Sequence, residues 1–173
     1  MTAVLTRGDV LERALSVAAT VVDPELPMLT LLDLGVLREV SLDEDGTVVA
    51  AITPTYSGCP AMATMRDDLV HELRAAGFDR VRVRVVLEPA WTTDWITPEG
   101  RAALADAGIS PPGAAPRRDG PVAIQLMPTR RSVTCPRCGS AEVDLTSEFG
   151  STACKAMYRC RVCLEPFDHV KEI

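Results

Sequence analysis

The sequence has few basic residues, few aromatic residues and no long apolar run. Lysine and arginine together number 18 against 24 aspartates and glutamates, so the formal net charge is −6. Proteins that bind nucleic acid usually carry a basic surplus instead. The apolar runs are only a few residues long, far short of the ~20 residues that a bilayer-spanning helix requires. We therefore expect neither a nucleic-acid-binding protein nor a membrane protein.

The first residues also lack the basic patch and apolar stretch of a secretory signal peptide. Without such a signal we expect a reducing, cytoplasmic compartment. Clustered cysteines bind metal there more often than they form disulfides. Five of the six cysteines lie between residues 135 and 163, so the tail is expected to hold a metal.

Apolar periodicity indicates a small α+β domain followed by a second module. It predicts three helices and three strands, in the order helix, strand, strand, helix, strand, helix. The helices are 8–22, 60–76 and 97–107, and the strands are 34–42, 47–53 and 80–87. This order predicts helices on a three-stranded sheet over residues 1–110. Five prolines predict a linker over 111–132, which leaves 133–173 as the second domain.

Two C-x-x-C pairs occur in the tail, Cys135 with Cys138 and Cys160 with Cys163. Two-residue spacing lets one tight turn direct both sulfurs at one metal, and tetrahedral Zn²⁺ takes four such ligands. The stretch between the pairs can form the strands of a hairpin. The pattern therefore predicts a zinc ribbon with a structural Zn²⁺. An iron centre of the rubredoxin type, or a cluster, is the alternative because thiolates bind both metals.

Two further side chains of the tail are ambiguous. Cys154 belongs to neither pair and is a buried apolar residue, an alternative ligand or a reactive thiol. His169 is interpreted as an ordinary surface histidine, because four cysteines already complete a tetrahedral site.

Cys59 is the one cysteine outside the tail and lies between a predicted strand and a predicted helix. Pro60 suits the first helical position, which would place Cys59 at or beside the N-cap. Unpaired backbone N–H groups there favour a thiolate, and Thr53, Thr55 and Ser57 add hydroxyl donors. This chemistry suits a nucleophile or a transient ligand of a metal or cluster. The alternative is a cysteine that only caps and packs.

A catalytic thiol would need a histidine base nearby. His71 lies twelve residues further along the same predicted helix, roughly 18 Å from Cys59 by helix rise. A Cys–His dyad within one chain is therefore not expected, and metal handling is the better hypothesis. A thiol-dependent enzyme that takes its base from another chain is the alternative.

Two loop segments are further candidates. Asp23 and Glu25 flank a proline after the first helix, where their carboxylates could face a metal or could form a turn on the surface. Trp91 and Trp95 follow the third strand and are expected to form an interface or a lid near Cys59.

Three segments of the first domain resemble the MIP18-like family, which includes SufT and the small targeting subunit of the cytosolic iron–sulfur assembly machinery. They are D-P-E-L-P at 23–27, L-x-x-L-G-V-L at 31–37 and T-P-T-Y-S-G-C-P-A-M at 53–62. The resemblance implies a MIP18-like fold, a role in delivering iron–sulfur clusters to client proteins, and a reactive position at Cys59. We therefore group the candidate residues for cluster or iron transfer as Cys59, Thr55, Ser57, Asp23 and Glu25.

The tail narrows the resemblance. Its segments C-P-R-C-G-S and E-F-G-S-T-A-C-K-A-M-Y-R-C, joined to a MIP18-like domain, resemble the PaaD (or PaaJ) family of accessory subunits encoded with the bacterial phenylacetyl-CoA epoxidase. This implies a place in phenylacetate degradation, with the di-iron oxygenase and the [2Fe–2S] reductase as partners. Cys154 lies inside the resembling segment and is a candidate second reactive thiol.

The resemblance also implies a role. The chain contains neither the Glu-x-x-His pair of a di-iron site nor a dinucleotide-binding fingerprint. We therefore expect a non-catalytic accessory subunit that assembles or delivers an iron–sulfur cluster or iron through Cys59. A purely structural subunit of the epoxidase is the alternative. A homodimer that shares a cluster between two Cys59 side chains is a further expectation.

Overall fold

The protein is described from a computed structural model, which describes residues 6–56, 58–115 and 132–173. The chain divides into two compact units, Met1–Trp91 and Thr92–Ile173. Most of the predicted linker, residues 116–131, lies outside the described residues. None of the described helices is long and apolar enough to cross a membrane.

Two of the described helices belong to the first unit. Helix α1 spans Arg7–Ala18 and begins with a capping box, in which Thr6 and Asp9 bond each other's backbone N–H groups. Helix α2 spans Met62–Ala75 and buries Met65, Leu69 and Leu73. It ends where predicted, at a left-handed Gly77 with φ of +90°, because a residue without Cβ adopts that conformation at little cost.

The sheet of the first unit has the order β1-β2-β3. Strands β1 (Leu37–Leu42) and β2 (Val48–Ile52) form the predicted antiparallel hairpin, with Gly46 in the turn. Strand β3 (Val81–Val85) pairs parallel to β2 after the chain has passed through α2. The central strand β2 is buried along its whole length. The loop that carries Cys59 therefore leaves the carboxyl end of a fully buried strand.

The described residues of the second unit form one α-helix and a three-stranded sheet. A short 3₁₀ helix (Thr93–Trp95) precedes α3 (Pro98–Asp106), which begins at the predicted N-cap, Thr97. Strands β4 (Val143–Ser147), β5 (Lys155–Cys160) and β6 (Pro166–Val170) form an antiparallel sheet in that order. Its core contains Val133, Cys135, Ala156, Tyr158, Cys160 and Phe167.

The position of α3 differs from the sequence-based expectation. The sequence predicts a first domain that continues to residue 110, whereas the structure places α3 in the second unit. The reason is the segment after the helix. Ser110 donates its N–H to Asp168 O at 2.8 Å, and its carbonyl accepts from Val170 N at 3.1 Å, so this segment pairs with β6.

Candidate functional site

Two tight turns bring four cysteine sulfurs together. All four lie within 4.8 Å of one another, and the Sγ atoms are 3.6 Å apart for Cys135–Cys163 and for Cys138–Cys160. Sulfurs bound at ~2.3 Å to one tetrahedral Zn²⁺ are about 3.8 Å apart, whereas disulfide sulfurs are about 2.05 Å apart. The spacing therefore fits four thiolates around one metal ion. These are the four cysteines that the C-x-x-C spacing pairs.

The backbone of each turn explains this convergence. In the first turn, Gly139 donates to Cys135 O and Cys135 donates to Ser140 O, both at 2.9 Å. In the second turn, Val162 N donates to Cys160 Sγ at 3.4 Å. Such N–H···S contacts help to fix the sulfur for a metal, so these ligands are oriented by main-chain geometry.

The thiols of the second turn differ in acidity. The N–H groups of Cys163 and Val162 point at Cys160 Sγ and lower the pKa of that thiol to about 7, against the effect of its burial. The N–H of Glu165 likewise acts to lower the pKa of the Cys163 thiol. Burial and the neighbouring sulfurs of the cluster nevertheless raise the pKa of the Cys163 thiol to about 12. Metal binding at neutral pH must therefore displace protons from this set.

Cys59 lies between β2 and α2, and its side chain is half-buried. Helix α2 begins at Met62 with Ala61 as N-cap, so the expectation that Pro60 is the first helical residue is wrong. A turn precedes the helix, in which Cys59 N donates to Tyr56 O at 3.2 Å and Met62 N donates to Cys59 O at 3.4 Å. Cys59 therefore lies two residues before the N-cap and not at it.

The hydroxyl residues predicted around Cys59 lie on the same loop. Thr53 is buried and Thr55 is half-buried, while Ser57 lies outside the described residues. The structure adds a feature that the sequence does not indicate. A Cβ atom placed on Gly58 would lie 2.9 Å from Cε2 of Tyr56, so the tyrosine ring rests against the residue that precedes Cys59.

Asp23 and Glu25 lie in a tight turn after α1. Asp23 is 3% exposed, and its Oδ1 accepts the backbone N–H groups of Glu25 and Leu26, both at 2.8 Å. These contacts are those of a turn-forming aspartate, one of the two alternatives that the sequence leaves open. Glu25 is half-buried and contributes a backbone donor to the same turn.

Trp91 belongs to the first unit and Trp95 to the second. Trp91 is 4% exposed, and its Nε1 donates to Leu34 O at 3.0 Å, so it is a core residue of the first unit and not an exposed interface residue. Trp95 ends the 3₁₀ helix of the second unit.

Cys154 lies outside the four-cysteine cluster, at the end of the loop that joins β4 to β5. Its Sγ is 3.0 Å from Thr152 Oγ1, and its carbonyl accepts from Lys171 N at 2.9 Å. The side chain is half-buried. The structure thus separates Cys154 from the metal-binding set and leaves it as a free thiol.

His169 corrects the sequence interpretation most clearly. It is completely buried, not a surface residue, and its ring nitrogens lie 3.2 Å from Ser110 Oγ and 3.3 Å from Glu172 Oε1. Burial acts to raise the pKa of Glu172, but bonding to His169 and to the N–H of Gly113 lowers it to about 2. Alternation along 166–170 was the available signal, since it places residue 169 on the same face as Phe167.

Comparison with known proteins finds two family models that match different parts of the chain. Residues 11–89 match the family model for an iron–sulfur cluster assembly protein, and residues 119–171 match the PaaD zinc beta ribbon domain. A protein of Escherichia coli (strain K12), whose name makes it a subunit of 1,2-phenylacetyl-CoA epoxidase, is 48% identical over 149 residues, which are 86% of this chain and 85% of that protein. The chain belongs to the PaaD family. Its membership confirms the α+β domain followed by a ribbon.

Relatives of the first unit of this PaaD family member are shorter. The Fe-S protein maturation auxiliary factor YitW of Bacillus subtilis (strain 168) is 32% identical over 96 residues, which cover 54% of this chain and 91% of that protein. A crystal structure of a DUF59 domain from Bacillus anthracis superposes with a TM-score of 0.52 at 25% identity, over 57% of this chain and 93% of that chain. The first unit is thus similar over most of its length to these shorter proteins.

Proposed function

We propose that this PaaD family member is a non-catalytic accessory subunit of a bacterial phenylacetyl-CoA epoxidase system. In this proposal it assembles or delivers an iron–sulfur cluster or iron to the oxygenase or the [2Fe–2S] reductase, and Cys59 is the transfer thiol. The observation that carries the proposal is that the two units carry their cysteines in different arrangements. A domain related to maturation factors bears one cysteine on a loop, and a separate ribbon holds four cysteines around one metal position.

The chemistry of Cys59 supports transfer over permanent binding. A thiolate is a soft ligand that suits iron and iron–sulfur clusters. A single cysteine satisfies only part of the coordination of a cluster, and the remaining ligands must come from a donor, a client or a second copy. Such a site binds its cargo incompletely and can release it. Cys59 is half-buried on its loop, so the residue is partly exposed to solvent.

We propose that the ribbon holds a structural Zn²⁺. Four protein thiolates complete a tetrahedral shell and leave no position for a substrate, which is typical of structural zinc sites. Two of the four ligands, Cys135 and Cys160, are buried in the ribbon core, with exposed fractions of 1% and 0%. None of the six cysteines, all of which lie in the described part of the chain, forms a disulfide, and a reducing cytoplasmic compartment is part of the proposal.

The described surroundings of Cys59 do not favour a thiol-dependent enzyme. His71 is the one histidine of residues 1–91 in the sequence, and it lies exposed on the third turn of α2. A nucleophilic cysteine is commonly activated by a histidine within hydrogen-bond reach. The relatives are likewise named as an epoxidase subunit or as maturation factors.

Cluster transfer in vitro tests this proposal. The zinc-loaded protein is incubated anaerobically with ferric iron, sulfide and a thiol, freed of unbound iron and sulfide, and then mixed with the metal-free reductase of the same organism. Cluster formation on the reductase is followed by its visible absorbance. We expect Cys59→Ser to abolish cluster transfer, while Cys154→Ser transfers at the rate of the natural chain. Equal transfer by Cys59→Ser would contradict the role of Cys59.

The same reconstitution tests a shared cluster. If two copies supply the thiols, the cluster-loaded protein sediments as a dimer and Cys59→Ser remains a monomer. If a client supplies the other ligands, the loaded protein stays monomeric until the reductase is added.

A further inference from the structure

Three polar side chains of the second unit form a network, in which His169 and Ser110 are buried and Glu172 is partly exposed. His169 is 0% exposed and Ser110 is 1% exposed. The histidine ring bonds Ser110 Oγ with one nitrogen and Glu172 Oε1 with the other, and Glu172 Oε1 also accepts the N–H of Gly113 at 3.2 Å. Buried polar groups of this kind are costly unless each is satisfied. Both nitrogens of the ring are satisfied by residues that are not adjacent to it in the chain.

The hydrogen-bonded series Ser110, His169 and Glu172 resembles the catalytic triad of a serine hydrolase, but the burial of Ser110 excludes a catalytic role. A nucleophilic hydroxyl must be reachable by a substrate, and Ser110 is buried. The network therefore holds two segments together instead of acting on a ligand.

Those two segments are β6 and residues 110–113. Ser110 forms a parallel bridge with His169 through two backbone hydrogen bonds, so the side-chain network and the main-chain pairing fix the same place. Further contacts continue along the chain from residue 92. Thr93 N donates to Ile173 O at 3.1 Å, and the guanidinium of Arg101 donates to the carbonyls of Thr93 and Pro112.

His169 also touches the core that holds the metal ligands. Its ring meets Tyr158 edge to face, with centroids 5.6 Å apart at 87°. Tyr158 packs in the same buried cluster as Cys135 and Cys160, and it lies two residues before Cys160 on β5. A shift of β6 would therefore move the strand that supplies a metal ligand.

We propose that His169 is a positioning residue for the four-cysteine metal centre, which makes Thr92–Ala115 part of the folding unit of the ribbon. Docking of this segment and retention of the metal then stabilise one another. Neither family model covers residues 90–118, so this assignment extends the ribbon beyond its family boundary. Coupling between two binding events is reciprocal in free energy: metal removal must weaken the docking of residues 110–113, and loss of the network must weaken the retention of the metal.

The test uses the full-length, zinc-loaded protein. Zinc release to a colorimetric chelator is timed for the natural chain, Ser110→Ala and His169→Gln, with Ser151→Ala on the exposed loop as control. We expect release to become about tenfold faster in Ser110→Ala and His169→Gln and to stay unchanged in Ser151→Ala. Ser110→Ala removes one hydroxyl and nothing else, so it remains informative if His169→Gln does not fold. Unchanged release from folded Ser110→Ala would overturn the proposal.

Amide hydrogen exchange supplies the reciprocal readout. In the natural chain, removal of zinc should abolish the protection of the amides of Ser110 and Gly113, which are distant in sequence from every cysteine of the cluster. If these amides stay protected after zinc is removed, the segment folds independently of the metal and the proposal fails. Neither experiment involves Cys59, so both outcomes are independent of the transfer role.

Discussion

Leu164 adopts the same left-handed backbone conformation as Gly139. Their φ angles are +63° and +73°, and each residue directly follows the second cysteine of its turn. The two metal-binding turns therefore both place a left-handed residue directly after their second cysteine, although only in the first turn is that residue a glycine. Leu164 is 59% exposed, so packing does not compensate fully for a conformation that costs an L-residue about 1–2 kcal/mol.

This comparison predicts the effect of changing the glycine. No atom lies within 4 Å of a Cβ built on Gly139. The destabilisation expected for Gly139→Ala therefore comes from its positive φ and not from a steric clash. We expect it to lower the free energy of unfolding of the zinc-loaded protein by about 1–2 kcal/mol, measured by denaturant titration. Leu164→Gly, the matched control, should change stability by less than about 1 kcal/mol, since relief of strain and added chain freedom oppose each other. A neutral Gly139→Ala would contradict the account of the turns.

The turn at Asp23 predicts a graded response. Asp23→Ala removes the acceptor of two backbone N–H groups in a buried place and should destabilise the protein by about 1–3 kcal/mol. Asp23→Asn retains an oxygen acceptor and should lose clearly less stability than Asp23→Ala. Thermal melts of both variants provide the measurement. An equal loss of stability in the two variants would indicate that Asp23 stabilises the protein through its negative charge and not through the hydrogen bonds of the turn.

The contact between Tyr56 and Gly58 predicts a change at the thiol. In Gly58→Ala the new methyl group would lie 2.9 Å from the ring, so the ring must move away from the residue that precedes Cys59. We expect alkylation of Cys59 to become several-fold faster, with an unchanged melting temperature, in a zinc-loaded Cys154→Ser background. Gly8→Ala, whose Cβ meets only Thr6 Oγ1 at 3.6 Å, serves as control and should leave the rate as it is. An unchanged rate in Gly58→Ala would show that the ring does not limit access.

The thiol pKa values predict how zinc affinity depends on pH. The pKa of Cys163 is raised to about 12, so this thiol is protonated at neutral pH, and the pKa of Cys160 at about 7 leaves that thiol only partly ionised. Zinc binds the deprotonated form and must release these protons. The apparent affinity should therefore rise with pH, more steeply below about pH 7 than above it, and calorimetry in buffers of different ionisation enthalpy should show proton release. A pH-independent affinity would contradict this ligand set.

Local patterns predict most elements of this fold. The N-cap of α3, the hairpin of β1 and β2, and the glycine that ends α2 follow from residues close in sequence. The four metal ligands follow from C-x-x-C spacing for the same reason.

Features that depend on distant contacts were missed. Periodicity identifies α3 but does not say which sheet it joins, because that depends on the pairing of Ser110 with β6. His169 looks like a surface residue until Ser110 and Glu172 are brought against its ring. The position of Cys59 differs for a local reason: a turn that ends at Met62 takes up Pro60 and Ala61, so Cys59 lies two residues before the N-cap instead of at it.

The iron content of the partner proteins tests the central claim most directly. The oxygenase and the reductase of the phenylacetyl-CoA epoxidase are produced in cells that carry either the natural chain or Cys59→Ser, at matched levels. Iron per polypeptide and epoxidase turnover are then measured. The account predicts that Cys59→Ser leaves this protein folded and zinc-loaded while at least one partner loses most of its iron and turnover falls with it. Fully metallated, active partners in the presence of Cys59→Ser would contradict a maturation role for this thiol.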